Sequence, residues 1–116
     1  MINRQAMISW ISAEAGGRAQ LPTGPTYSTV ARFEEDERWP ESAWSLVVDF
    51  QKRFKDPRLV LATVRFLNQS APGILLHAGS RFELFEGRRR VAKGIVLPGA
   101  ISIPEEINDF EAALIG

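Results

Sequence analysis

Between residues 46 and 66 the side chains alternate with a period of two, and this pattern constrains the fold more than any other feature of the chain. Leu46, Val48 and Phe50 alternate with Val47, Asp49 and Gln51. Val60, Ala62, Val64 and Phe66 alternate with Leu61, Thr63 and Arg65. Successive side chains on a strand point to opposite faces, so each segment is expected to be a strand with one face on a core. The intervening Phe54-Lys55-Asp56-Pro57-Arg58 holds an Asp-Pro pair that cannot continue a ladder and predicts a turn. Further strands are expected over residues 6–12, 27–33, 80–85 and 90–97. Glycine and proline fall in the gaps, at Gly16-Gly17, Pro22, Pro25, Pro72-Gly73, Gly79 and Gly87, where turns need them. Six or more short strands at this spacing predict an all-β sandwich or barrel. The stretch Glu34-Glu35-Asp36-Glu37-Arg38-Trp39-Pro40 is too charged for a buried strand and is expected to be an exposed loop.

A chain of 116 residues, 45% apolar and 24% charged, suits one domain with one core. The absence of cysteine excludes disulfides, thiolate nucleophiles and Cys-ligated metal sites, and is compatible with a reducing compartment. Apolar runs are far shorter than the ~20 residues that span a bilayer, and Asn3, Arg4 and Gln5 interrupt any secretory pattern. A cytoplasmic protein without a membrane partner is the expectation.

The formal charge is zero, yet residues 104–116 hold Glu105, Glu106, Asp109 and Glu111 and no base, leaving about +4 on residues 1–103. In this tail Ile103, Ile107, Phe110 and Leu114 follow a helical spacing, with Ser102 and Glu105 placed as a capping box. A short amphipathic helix over residues 102–115 is predicted, following a barrel over residues 5–97. Its apolar face needs a barrel flank or a second copy of the chain, because an isolated helix of that length is marginal in water. A homodimer through the helix is one way to meet that need.

The inventory of reactive groups is thin. Neither G-x-x-x-x-G-K-[ST] nor G-x-G-x-x-G occurs. His77, the single histidine, has no acid or hydroxyl at a local spacing that would mark a triad or metal site. Glu83 and Glu86, three apart, face opposite sides of an ideal strand and do not form a carboxylate pair. No catalytic residue, metal ligand or cofactor site is therefore predicted, and the expected protein is not an enzyme. Of the three tryptophans, Trp10 and Trp44 are expected in the core and as an aromatic lid. Trp39, in the charged loop, is the candidate for an exposed binding anchor.

Two stretches carry a resemblance to a known family. Ala13-Glu14-Ala15-Gly16-Gly17-Arg18, and Gly79-Ser80-Arg81-Phe82-Glu83-Leu84-Phe85-Glu86-Gly87-Arg88-Arg89-Arg90-Val91-Ala92-Lys93-Gly94-Ile95-Val96, resemble the third, C-terminal barrel domain of elongation factor Tu. The likeness runs loosely over residues 5–97 and takes in Arg65-Phe66-Leu67 followed by Ala71-Pro72. It implies a six-stranded antiparallel closed β-barrel. In that family the domain touches the T-stem of tRNA, a nucleotide-exchange factor and a GTPase domain, partly through residues matching Gly17, Arg18, Glu86, Gly87 and Arg88. The chain departs from the family by carrying Gly24, Pro25 and Tyr27 in a rearranged order, by lacking a GTPase domain within these residues, and by its acidic tail. Independently of the resemblance, Gly87 suits a tight hairpin and Gly94 a bend or a close approach at a barrel corner. The expected function is a binding module for a protein partner, using barrel-end hairpins with Gly17, Arg18, Trp39, Glu86, Gly87, Arg88 and Arg89. The alternative is a module for structured RNA, with Arg18, Arg88, Arg89, Arg90 and Lys93 on one rim.

Overall fold

The computed structural model describes residues 3–41 and 43–99. Six strands form, β1 (Arg4–Trp10), β2 (Thr26–Phe33), β3 (Trp44–Arg53), β4 (Leu59–Phe66), β5 (Arg81–Glu86) and β6 (Arg89–Val96). They close into one barrel in the order β1-β4-β3-β2-β5-β6, and every neighbouring pair is antiparallel. The helix expected over residues 102–115, and its proposed packing or dimer contact, lie outside the described residues.

The alternation read from the sequence sorts the side chains as a closed sheet requires. Ile8, Leu46, Val48, Val60, Ala62, Val64 and Phe82 belong to one buried cluster in the lumen. Its aromatic centre is Phe33, with ring centroids 5.6 Å from Phe66 and 5.4 Å from Phe82. Trp10 is also buried there and meets Tyr27 edge to face, while Trp44 is half-buried against the same core.

Three details differ from the sequence reading. The first strand spans Arg4–Trp10, so it starts and stops earlier than residues 6–12, because Ser12 leaves the sheet to cap a 3-10 turn at Ala13–Ala15. There the Ser12 hydroxyl accepts from the Ala15 N–H at 3.2 Å. A second 3-10 turn, Gly73–Leu75, lies in the connection before β5 and tucks Leu75 into the core. Finally, β1 and β4 are buried on both faces: Met7, Leu59 and Leu61 form a second cluster with Leu97 outside the lumen.

The predicted turn at residues 54–58 forms between β3 and β4. Asp56 accepts from the Arg58 N–H at 3.0 Å, and the Leu59 N–H donates to the Asp56 carbonyl at 3.1 Å. The Arg58 backbone N–H first, and then the Arg58 guanidinium, which donates to the carboxylate at 3.4 Å, hold the Asp56 carboxyl below its usual value.

Candidate functional site

Antiparallel closure sends the C-terminal ends of β1, β3 and β5 and the N-terminal ends of β2, β4 and β6 to one end of the barrel. Three connections meet there: residues 11–25, the β3–β4 turn and the β5–β6 hairpin. The hairpin turns at Gly87, whose φ of +61° is in the left-handed region that favours glycine. Gly17 is demanded by space: a Cβ there would lie 2.0 Å from the carbonyl oxygen of Ile11. That close approach, with the Gly17 N–H bonded to the Ser12 carbonyl at 2.8 Å, directs the next residue toward β5.

That residue is Arg18, and it meets Glu86. The Glu86 carboxylate accepts from the Arg18 guanidinium and from the Tyr27 hydroxyl, both on the same oxygen. The guanidinium also lies 5.6 Å from the Tyr27 ring centroid, and its Nε donates to the Gln20 carbonyl at 2.8 Å. Burial works to raise the Glu86 pKa, but the bonds from Tyr27 and Arg18 and the charges of Arg18 and Arg89 outweigh it and hold the carboxyl below its usual value. Tyr27 is pushed up, first by burial and then by its bond to the carboxylate. For Arg18 burial works downward, and the bonds to Glu86 and Tyr27 reverse it and raise its pKa. All three groups are thus fixed in their pH 7 forms, charged, neutral and charged. Beside them a groove of about 280 Å³ is lined by Arg18, Ala19, Gln20, Glu86 and Arg89.

The same barrel end gathers bases from elsewhere in the chain. A register shift after Phe50 in β3 precedes Lys52 and Arg53. Such bulges re-aim side chains at sheet ends. The Arg53 guanidinium lies 4.5 Å from the Phe50 ring centroid, and the Lys52 ammonium 5.3 Å from that of Phe54. With Lys55 and Arg58 of the turn, Arg18, and Arg88 and Arg89 of the hairpin, this end carries seven cations against Glu14, Asp56 and Glu86. Arg18 and Arg58 are ion-paired to Glu86 and Asp56. Among the described residues, Lys52, Arg53, Lys55, Arg88 and Arg89 have no carboxylate within 4.0 Å. The opposite end is mixed in charge: Glu34, Glu35, Asp36, Glu37 and Glu41 share it with Arg4, Arg38 and Arg81, and with Arg32 and Arg65 near the ends of β2 and β4.

Gly17, Arg18, Glu86, Gly87, Arg88 and Arg89 stand together as expected residues of one surface, and Trp39 does not join them. It is half-buried rather than exposed, with its ring 5.4 Å from that of Phe85 and inclined at 32°, because the charged loop folds back on β5. Arg90 and Lys93 also leave the rim. Arg90 bonds Glu83 at 2.6 Å, and Lys93 lines a separate groove of about 530 Å³ with Arg32, Glu34 and Glu83. Glu83 and Glu86 serve different partners, as their spacing predicts. His77 has a partner that local spacing could not reveal: its Nε2 lies 2.6 Å from the Glu35 carboxylate, 42 residues away, on an exposed surface. Lys52, Arg53 and Lys55 were missed as site residues. Their run Lys-Arg-Phe-Lys was visible, but the turn reading gave no reason to place it beside the hairpin.

The fold and this surface define a small closed antiparallel barrel with one cationic end. No protein-family model matches the chain, and no curated protein matches it either.

Proposed function

We propose that the chain is a non-enzymatic binding module, similar to the C-terminal barrel of elongation factor Tu, whose cationic barrel end docks on an acidic surface of a protein partner. The observation that carries this reading is the convergence of three connections, which gives seven cations at one end, five of them without an ion-pair partner among the described residues. Three carboxylates are interspersed among those cations, so the surface is a charge mosaic, which suits selection of one acidic protein face through complementary potentials. The Arg18–Glu86–Tyr27 cluster supplies a rigid centre, and rigid side chains lose little entropy on docking.

Structured RNA is the second reading, and the same five cations favour it. Five phosphate contacts would make log K fall by about 3.5–4.5 per decade of salt. The two readings separate on one experiment: native-host cross-linking with the chain and with its Arg88→Glu/Arg89→Glu variant, beside a salt titration of binding to tRNA. A protein cross-link lost in the variant, with no tRNA binding at physiological salt, is the expected result. Tight tRNA binding at that salt, lost in the variant, would replace the protein reading by the RNA one.

A further inference from the structure

The outer face of β2, β5 and β6 carries charges that the cationic barrel end does not use. Arg32, Glu83 and Lys93 stand in one cross-strand row, since Arg32 is in register with Glu83 and Glu83 with Lys93. Phe33 and Phe82 belong to the lumen cluster, so this alternate row faces out. Arg32, Glu34, Arg81, Glu83 and Lys93 line a groove of about 530 Å³ on this face. Opposite charges directly across a strand pair attract each other, and register alone would pair Lys93 with Glu83. Both Glu83 oxygens are instead taken elsewhere: Oε1 accepts from Arg32 at 3.1 Å and Oε2 from Arg90 at 2.6 Å. Among the described residues, Lys93 is left with no carboxylate within 4.0 Å, and Glu34 with no base. One cation and one carboxylate therefore line the same groove, each without an ion-pair partner among those residues.

We propose that this groove is a ligand site separate from the cationic barrel end, and that it takes a phosphate monoester carrying hydroxyl groups. Lys93, Arg32 and Arg81 are the bases for the anionic group, which bears a charge of about −1.5 to −2 near pH 7. Glu34 disfavours a bare anion, because a carboxylate only accepts hydrogen bonds. Hydroxyl groups on the ligand turn that repulsion into hydrogen bonds. Spacing sets the length of the ligand. The Glu34 N–H donates to the Arg81 carbonyl at 3.0 Å, so Glu34 stands two strands across and two residues along from Lys93. Strand spacing and rise put their Cα atoms about 12 Å apart. An α-amino acid, whose ammonium and carboxylate share one carbon, is too short to engage both. A sugar phosphate, with its phosphate at one end and hydroxyls at the other, has the reach. The groove also falls within the roughly 300–1,000 Å³ of small-ligand sites. Two sources share this chemistry, a free sugar phosphate and a nucleoside monophosphate. Trp39 on Phe85, two residues beyond Glu83 on the same strand face, offers an aromatic ledge to the base of the second. This goes beyond the partner-binding reading and does not depend on it.

The test is an amide NMR titration of the full chain with ribose 5-phosphate, AMP, inorganic phosphate and ribose, at about 0.1 M salt so that long-range charge effects are screened. Ribose 5-phosphate should shift the amides of Arg32, Arg81, Glu83 and Lys93 with a Kd below about 1 mM, inorganic phosphate should bind at least about tenfold more weakly, and ribose should shift nothing. Lys93→Gln should weaken ribose 5-phosphate by about tenfold or more, as expected for a lost charge-assisted hydrogen bond. Glu34→Gln should act in opposite directions, weakening ribose 5-phosphate and tightening inorganic phosphate. If it tightens both, Glu34 only repels anions and the proposal is overturned. Shifts confined to Arg18, Glu86 and Arg89 would also overturn it, because the binding would belong to the barrel end. So would the absence of shifts from every probe at about 10 mM. AMP binding tighter than ribose 5-phosphate, with the gain lost in Trp39→Ala, supports the nucleotide as the source. Equal binding of the two supports the free sugar phosphate.

Discussion

Arg18, in the connection after β1, and Glu86, the last residue of β5, are joined by an ion pair across 68 residues of sequence, and the Tyr27 hydroxyl donates to the same carboxylate oxygen. This contact ties the first long loop to the β5–β6 hairpin and sets the geometry of the cationic barrel end.

The pair is about a third exposed on each side, so solvent screening limits its value. Glu86→Ala should cost about 1 kcal/mol, most of it through the lost bond to half-buried Tyr27. A double-mutant cycle with Arg18→Ala should return a coupling below about 1 kcal/mol. Urea denaturation of the three variants measures both. A coupling indistinguishable from zero would mean that the contact does not hold the loop.

Because the Glu86 pKa is lowered in the folded protein, its contribution is fully present above the unfolded value and is lost as pH falls through the folded one. Urea midpoints should therefore drop on acidification below about pH 4.3, less steeply in Glu86→Gln. Equal slopes in the two proteins would show that other carboxylates control the acid limb.

His77 titrates in the opposite sense. The Glu35 carboxylate, and after it the Ala78 carbonyl, raise its pKa. Any stabilisation is then complete below the unfolded value and is lost as pH rises through the folded one. In an NMR titration the midpoint should lie above about 6.5 and return toward it in Glu35→Gln. A midpoint unchanged by that substitution would exclude the contact in solution.

Gly94 has no room for a methyl group, since a Cβ would sit 2.4 Å from the Phe82 ring. Gly94→Ala should cost about 1–3 kcal/mol through overpacking. Adding Phe82→Leu to it should recover part of that loss, although Phe82→Leu alone destabilises. Strictly additive losses would show that the ring moves aside freely.

Val64→Ala, in the lumen and fully buried, should cost roughly 1–3 kcal/mol. Thr63→Ala, next to it on the outer face, should cost less than about 0.5 kcal/mol beyond its bond from Gln51. Similar losses at the two positions would contradict the face assignment.

The strands and the lumen face were legible in the sequence because each strand's period-two pattern is a local property. Leu46, Val48 and Phe50 declare their side of the sheet without reference to any partner. The turns at Asp56-Pro57 and Gly87 were legible for the same reason, since their backbone demands are met by one or two residues. The ends of β1 were less so, because Ser12 could continue the strand or cap a turn, and local sequence does not decide between them.

What only the tertiary structure decided is which side chains meet. The sequence alone determined a β-rich chain with no thiol chemistry and an acidic tail. Closure in the order β1-β4-β3-β2-β5-β6 then decided that Lys52, Arg53 and Lys55 share an end with Arg18, Arg88 and Arg89, and that Glu35 meets His77. It also turned Trp39 onto Phe85 and brought Met7 and Leu61 together in a buried cluster outside the lumen. The physical reason is that period and turn chemistry act over two to five residues, whereas a charged surface is assembled by strand pairing between segments tens of residues apart.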